Sequence, residues 1–322
     1  MARVINPFES LWTQFKQGGW SGATHAWRNF MRERKLTHLH QTQVKRVVIL
    51  TVPNTLYVAG LLQNMLKQKG IQSMVITKRP LLGYQRCLHF VIAPQAFKSF
   101  PKTFVAFQME QYVSGALSKP KSIKKLQKAV LVMDYSLSNI QFQIDNGFPA
   151  ERLFHVPVAQ LLAHDFSIPQ RYEYDIAFYG DTNNERRQKY LKALGEKFKL
   201  LIIDNAFGQD AFDQLRQAKL VVNIHYYEDA LLETTRLFEC ISNGVLVVSE
   251  TASDMPEHTA LNEIVDFVPV DDVAMMVERV NYWLTHEHER IERLHQQYQF
   301  ASETRTPFTQ QFDRVLRTIG ID

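Results

Sequence analysis

From Arg46 onward the chain alternates short apolar, β-branched runs with segments of helical period. Val47 to Val52 predicts a buried strand, and Leu56 to Lys69 a helix that stops at Gly70. Gln72 to Thr77, Leu88 to Ile92, Thr103 to Phe107, Ala129 to Met133 and Phe154 to Pro157 repeat the strand signature, with a helix over Ser136 to Asn146. At Ala163 to Tyr174 the period breaks. It restarts with strands Asp175 to Tyr179, Leu200 to Asp204, Leu220 to His225, Val245 to Ser249 and Ile264 to Val268. Helices are expected at Glu185 to Phe198, Gln209 to Ala218 and Leu231 to Ser242. The chain ends in helical segments at Val273 to Thr285, Arg290 to Tyr298 and Thr309 to Ile319. Continuously apolar strands need cover on both faces, so the fold class is α/β: two doubly wound, Rossmann-like domains of parallel βαβ units facing across a cleft. The expected bounds are a helical arm over residues 1–45, domains over 46–165 and 174–305, and a helix over 306–322 packing back on the N-terminal domain.

Composition supports ordinary globular packing: 322 residues, 45% apolar and 22% charged, enough for about two domains at roughly 150 residues each. Cys87 and Cys240 are isolated, which excludes a disulfide framework and a paired-cysteine zinc site. Neither a signal peptide nor a spanning segment is evident, so a cytoplasmic location is expected. The formal charge of +4 gives no ground for nucleic-acid binding. Residues 1–46, however, carry eight basic residues against Glu9 and Glu33, leaving a slight acidic excess elsewhere. Phe8, Trp12, Phe15, Trp20, Trp27, Phe30 and Met31 interleave with those cations at helical spacing. Such an arm suits either packing on its own domain or an anionic membrane surface.

The first βα turns, Thr51-Val-Pro-Asn-Thr and Gly180-Asp-Thr-Asn-Asn, hold neither GxGxxG nor GxxxxGK[ST], which disfavours a Walker-type kinase and a standard NAD enzyme. The densest cluster runs from Val221 to Glu250. A strand delivers His225 and Tyr226 to a loop, and a helix follows with Glu233, Arg236 and Glu239. A helix N-terminus beside Thr234, Thr235 and Arg236 suits a diphosphate, and a buried Glu239 suits ribose hydroxyls. The same spacing also fits a surface ion-pair ladder. In the first domain Glu110 follows a strand and would face the cleft as a general base. Asp134 is its rival, although just before Ser136 it also suits a helix cap. His225 either orients phosphate or is a hydrogen-bonded histidine at a strand end. No Asp-x-Asp sits at a strand end; Asp271-Asp272 lies on a late loop and His286-Glu-His288 in a charged helical tail, so no metal is expected.

The run Arg236-Leu-Phe-Glu239-Cys-Ile-Ser-Asn-Gly244-Val-Leu-Val-Val-Ser resembles the donor-site segment of GT-B glycosyltransferases of the group 1 and CgeB-like (spore-coat-type) families. Asp175-Ile-Ala-Phe-Tyr-Gly180-Asp-Thr-Asn-Asn-Glu-Arg186-Arg187 resembles the strand, glycine turn and helix that open their C-terminal domain, and Met133 to Asn139 with His155-Val-Pro157 resembles the end of the N-terminal one. The resemblance implies that Glu239 accepts from the ribose and that Arg236, with Arg186 or Arg187, neutralises the leaving diphosphate. It also implies that Gly180 and Gly244 let backbone approach the donor. Retaining relatives carry two glutamates spaced more widely than Glu233 and Glu239, which have five residues between them; this leaves the donor-sugar role of Glu233 and the anomeric outcome open. The implied activity is sugar transfer from a nucleotide-sugar to a glycan or glycolipid hydroxyl, in lipopolysaccharide or capsule synthesis, without cofactor or metal. A sugar-nucleotide epimerase and a noncatalytic scaffold of the same architecture are the alternatives.

Overall fold

A computed structural model describes residues 7–112, 120–161, 168–169 and 171–322. Arg3 and half of the break expected at 163–174 lie outside them, as do the side chains of Phe8, Trp12 and Phe15. The first sheet comprises β1 (Arg46–Leu50), β2 (Gln72–Ile76), β3 (Leu88–Ile92), β4 (Phe104–Gln108), β5 (Val132–Asp134) and β6 (Leu153–His155). Its strands are ordered β2-β1-β3-β4-β5-β6 and every pairing is parallel. The second comprises β7 (Tyr174–Tyr179), β8 (Leu200–Ile203), β9 (Ala218–Asn223), β10 (Leu246–Glu250) and β11 (Asp266–Val268), also all parallel, in the order β11-β10-β9-β7-β8. Both sheets therefore reverse direction beside their first strand, where ligands bind in doubly wound folds.

The helices are α1 (Pro7–Gln41), α2 (Leu56–Gln68), α3 (Pro120–Leu126), α4 (Leu137–Asp145), α5 (Glu185–Gly195), α6 (Gln209–Leu215), α7 (Thr234–Ser242), α8 (Val273–Thr285) and α9 (Glu287–Thr318). Their starts follow local chemistry. Ser136 accepts from the Asn139 N–H to cap α4, Asn184 accepts from the Arg187 N–H to cap α5, and Asp272 accepts from the Met275 N–H to cap α8. Three features depart from the sequence pattern. Lysine-rich α3 carries too weak an apolar stripe to be legible. Helix α7 begins three residues later than its period suggests, with Glu233 at its N-cap. The two expected C-terminal helices are one helix of 32 residues running through Pro307. Burial of Phe300, Phe308 and Phe312 fastens it on both sides of the lost N–H.

Helix α9 ties the lobes together. It packs against α7 and α8 in the second lobe and then meets β6 in the first. Near its end the Phe312 ring lies 5.6 Å from Phe90, and Asp313 pairs with Lys69 at 3.2 Å. One buried apolar cluster consequently runs from the first sheet through α9 into the second, including Phe90, Leu237, Ile241 and Phe312. The lower half of the arm α1 joins this body: Leu39 is buried in it, and His40 Nε2 lies 3.1 Å from the Thr318 carbonyl. Further up, Trp20 and Trp27 are 79% and 49% exposed. Among the described residues no helix is long and apolar enough to cross a membrane.

Candidate active site

A cleft of about 560 Å³ opens between the lobes and is lined almost wholly by loops that follow strand C-termini. Asn54 and Thr55 come from the turn after β1, Met109 to Gln111 follow β4, and Tyr135 follows β5. The second lobe contributes Gly180 and Asp181 after β7, Asp204, Asn205 and Phe207 after β8, and Tyr226, Tyr227, Ala230 and Glu233 to Arg236 after β9. The lobes are clasped beside it. Gln111 Nε2 donates to the Leu231 carbonyl while its Oε1 accepts from the Leu231 N–H, both at 2.9 Å. Behind, the Tyr57 hydroxyl from α2 donates to the Ala159 carbonyl at 2.7 Å and lies 2.8 Å from Ser242 Oγ on α7.

The first turn of α7 points into this cleft, since Thr234 and Thr235 line it. Glu233 makes no cap to its own helix. Its carboxylate instead accepts from Arg236 Nη1 at 2.7 Å and meets Arg187 Nη2 and His225 Nδ1, each at 3.4 Å. Burial opposes ionisation of Glu233, but Arg236, His225 and Arg187 outweigh it and hold the carboxyl down at about 2. Arg187 is 2% exposed yet lines the cleft. It donates to the carbonyls of Ile224 at 2.9 Å and Asp181 at 2.8 Å, and its guanidinium lies over the Tyr226 ring at 5.2 Å. Burial and the neighbouring Arg236 bring it down to about 10, so it is still a cation at neutral pH. Arg236 Nη1 also donates to Asn223 Oδ1 at 2.8 Å. Two fixed guanidiniums and a helix N-terminus thus share one wall.

Glu239, in the second turn of α7, lines the same cavity. Burial pushes its carboxyl up to about 7, against a hydrogen bond from Tyr179 and the charge of Arg236. Gly180 has φ of +149°, and a Cβ there would come within 3.3 Å of Arg236 Nη2. The glycine therefore keeps the guanidinium's place open.

Four residues singled out by sequence stand elsewhere. Arg186 does not line the cleft: it grips Glu250 in a bidentate pair and meets Asp271 at 2.8 Å. Of the adjacent arginines, Arg187 is the one that lines the cleft. His225 is fully buried behind Glu233, with Nε2 at 3.0 Å from the Thr251 carbonyl, so it orients Glu233 rather than touching the cleft. Gly244 terminates α7 at the end away from the cleft, where its φ of +71° is a left-handed stop. Asp134 is sealed: it accepts from the Ser136 N–H at 3.1 Å, Asn139 Nδ2 at 3.1 Å and Gln143 Nε2 at 2.6 Å, and burial raises its carboxyl well above the usual range. Its hydrogen bonds organise the start of α4 instead of reaching the cavity.

Glu110 does line it, and no hydrogen bond to its carboxylate is formed among the described residues. Burial raises its pKa. Neighbouring Asn54, Thr55, Gln111, Tyr135, Asp181 and Asn205 were not legible as cleft residues. The signal available for them was position alone, just after an apolar strand. Among the described residues, ligand atoms of Asp254, Glu257 and His258 lie within 4.8 Å of one another. That group lies outside the cleft lining and is structural: Asp254 accepts from the Leu232 N–H at 2.8 Å, and Glu257 accepts from Ser138 Oγ at 2.7 Å across the lobes.

Comparison with known proteins agrees with this geometry. Residues 167–307, which contain most of the second lobe, match the family model described as glycosyl transferase-like. Solved structures with similar folds include Thermosynechococcus elongatus sucrose-phosphate synthase, with a TM-score of 0.54 and 10% identity over 85% of this chain and 99% of that one. Anabaena Alr3699/HepE, solved with UDP and glucose, aligns with a TM-score of 0.53 and 12% identity over 85% and 100%. WaaG, a glycosyltransferase involved in lipopolysaccharide biosynthesis, gives 0.51 and 11% over 80% and 95%. The chain has the GT-B fold. No curated protein sequence matches it. Within that fold the second lobe, carrying Arg187, Arg236 and Glu239, is the C-terminal domain, and α9 is the helix that returns to the N-terminal one.

Proposed function

We propose that this chain is a glycosyltransferase that moves a sugar from a nucleotide-sugar donor to a hydroxyl of a glycan or glycolipid. The observation that carries the reading is the convergence of Arg187, Arg236 and the α7 N-terminus on one cleft wall, with Glu239 beside them. Loss of a nucleoside diphosphate builds negative charge in the transition state. Fixed cations and helix N–H groups lower that barrier because they are aligned before the reaction begins. Two fixed guanidiniums, one buried and one half-buried, supply this charge without a metal, and Glu239 takes the ribose hydroxyls. Glu110, the carboxylate on the facing lobe, accepts the acceptor's proton; its raised pKa makes it a stronger base than a solvated glutamate.

HepE was solved with UDP-glucose, which fits a uridine donor here, and the involvement of WaaG in lipopolysaccharide biosynthesis fits an envelope polysaccharide such as lipopolysaccharide or capsule. The CgeB-like motif between Arg236 and Gly244 points the same way. Work on such acceptors belongs at the inner face of the cytoplasmic membrane, where the basic, aromatic arm α1 suits an anionic surface. The test combines binding with turnover. UDP should raise the melting temperature by mass action, and a UDP-sugar should be slowly hydrolysed without acceptor, both effects being lost in Arg236→Ala. Donor interconversion without nucleotide release would replace the transferase with an epimerase, and no response to any nucleoside diphosphate would leave a scaffold.

A further inference from the structure

The basic charge of the chain is not confined to its first helix. Residues 1–161 hold 21 Lys and Arg against 6 Asp and Glu, whereas residues 162–322 hold 16 against 27. Between Glu33 and Glu110 there is no acidic residue at all. The cleft does not use this charge: among the described residues its N-terminal lining, Asn54, Thr55, Met109, Glu110, Gln111 and Tyr135, contains no cation. Among the described residues most of the excess lies on the outer surface, where it acts on partners rather than on the fold.

One loop joins that charge to apolar surface. The β2–β3 crossover, residues 77–87, contains no helix. It leaves the sheet at the cleft edge, where the Thr51 N–H donates to the Ile76 carbonyl at 3.0 Å, close in sequence to Asn54 and Thr55. Its tip is a turn in which the Gly83 N–H donates to the Pro80 carbonyl at 3.0 Å. Leu81 and Leu82 stand on that turn 104% and 103% exposed, more than any other large apolar residue described. Exposed Lys78, Arg79 and Arg86 flank them. The base of the loop is anchored, since the Tyr84 hydroxyl donates to the Ser99 carbonyl at 2.9 Å and its ring packs edge-on against His89 at 5.7 Å. Single exposed leucines are ordinary on protein surfaces. Two adjacent ones, held out on an anchored turn among three cations, match the boundary of an anionic bilayer, where apolar tips enter the acyl layer and cations meet phosphates. A nucleic acid would engage the cations and leave the leucines in water.

We propose that loop 77–87 is a membrane wedge, with Leu81 and Leu82 inserting into an anionic bilayer and Lys78, Arg79 and Arg86 seated at its headgroups. It is separate from the aromatic face of α1, and because it departs from the cleft edge it turns the side carrying Glu110 toward the lipid. The inference stands independently of the transferase reading, because it is tested without donor or acceptor.

The experiment is sedimentation of the full chain with phosphatidylcholine vesicles, with and without phosphatidylglycerol. Wild type should bind only the anionic vesicles, and less as salt rises. The exposed double variant Leu81→Asp/Leu82→Asp should keep the wild-type melting temperature and lose about tenfold or more in partitioning. Lys78→Glu/Arg79→Glu should lose a similar amount, and Trp27→Ala should retain loop-dependent binding. Equal partitioning of Leu81→Asp/Leu82→Asp and wild type would overturn the proposal, as would equal binding to neutral vesicles. DNA binding lost in Lys78→Glu/Arg79→Glu with no vesicle binding would assign the basic surface to nucleic acid instead.

Discussion

The N-terminal sheet and the C-terminal sheet repeat one strand order with parallel pairing throughout, yet they bring different chemistry to the same cleft. The C-terminal lobe is acidic overall, but the wall it presents carries Arg187 and Arg236, each held by backbone or side-chain acceptors and balanced by Glu233. The N-terminal lobe is strongly basic, yet among the described residues it shows the cleft no cation, only amides, hydroxyls, Met109 and Glu110. Net charge therefore says little about a site. What matters is which side chains stand at strand C-termini and what fixes them there. The C-terminal wall is built to hold an anion, and the N-terminal wall is left neutral enough to receive a polar acceptor beside one carboxylate.

Adjacent Arg186 and Arg187 give the sharpest division within the C-terminal lobe, and the largest expected effects. Glu250 is fully buried and depends on Arg186, with Tyr190 at 2.6 Å and the backbone of His225 at 2.9 Å. Arg186→Ala strands that carboxylate and should cost about 3–5 kcal/mol of stability in denaturant unfolding. Arg236→Ala should do the reverse: a modest change in stability, with turnover falling roughly 10²–10³-fold, as when one preorganised charge-stabilising donor is removed. If Arg186→Ala slows turnover at full stability while Arg236→Ala does not, the two arginines have been assigned the wrong roles.

The facing lobe supplies the next test. Glu110→Gln should keep the shape of the cleft and the melting response to UDP, and should lower transfer about 10²-fold. Asp134→Asn should act differently, by loosening α4 and lowering stability, because its carboxylate is occupied by Ser136, Asn139 and Gln143. Unchanged transfer in Glu110→Gln would remove the carboxylate from the acceptor wall and leave the N-terminal lobe with a binding role only.

Much of this architecture was legible because apolar period reports burial directly: Leu88 to Ile92 and Val273 to Thr285 fall where their patterns place them. Boundaries that depend on tertiary support were not. Pro307 reads as a helix break, and only the packing of Phe300 and Phe312 on either side carries α9 through it. In the site, Arg236, Glu239, Gly180, Tyr226, Glu233 and Glu110 were recoverable from their position after a strand or on one helix face. Arg186 could not be told from Arg187, because one residue on a helix turns a side chain by about 100° and the sequence does not state which direction is the cleft. Gly244 failed for a similar reason, since a glycine in a motif marks a backbone need without saying at which end of the helix it arises. The charge asymmetry is masked in the sum over the chain, because a basic N-terminal lobe and an acidic C-terminal one nearly cancel, and Leu81-Leu82 carries no period at all.

The smallest expected effect separates the two walls by proton uptake. Glu239 sits at about 7 in the free chain because burial disfavours its carboxylate. Relative to the unfolded chain this is a raised value, so its contribution to stability is greatest at low pH and is lost as pH rises toward 7. Ribose hydroxyls donate to the ionised form, so nucleotide binding runs the other way and must first expel the proton. UDP affinity should therefore be about tenfold weaker at pH 6 than at pH 8, a difference of about 1.4 kcal/mol. The terminal phosphate of UDP titrates in the same window, which makes the informative quantity the difference between wild type and Glu239→Gln in calorimetric titrations. A slope that persists unchanged in Glu239→Gln would belong to the ligand alone. The ribose would then have to be held by another group, and the C-terminal wall would keep its diphosphate site without the sugar contact that orients it.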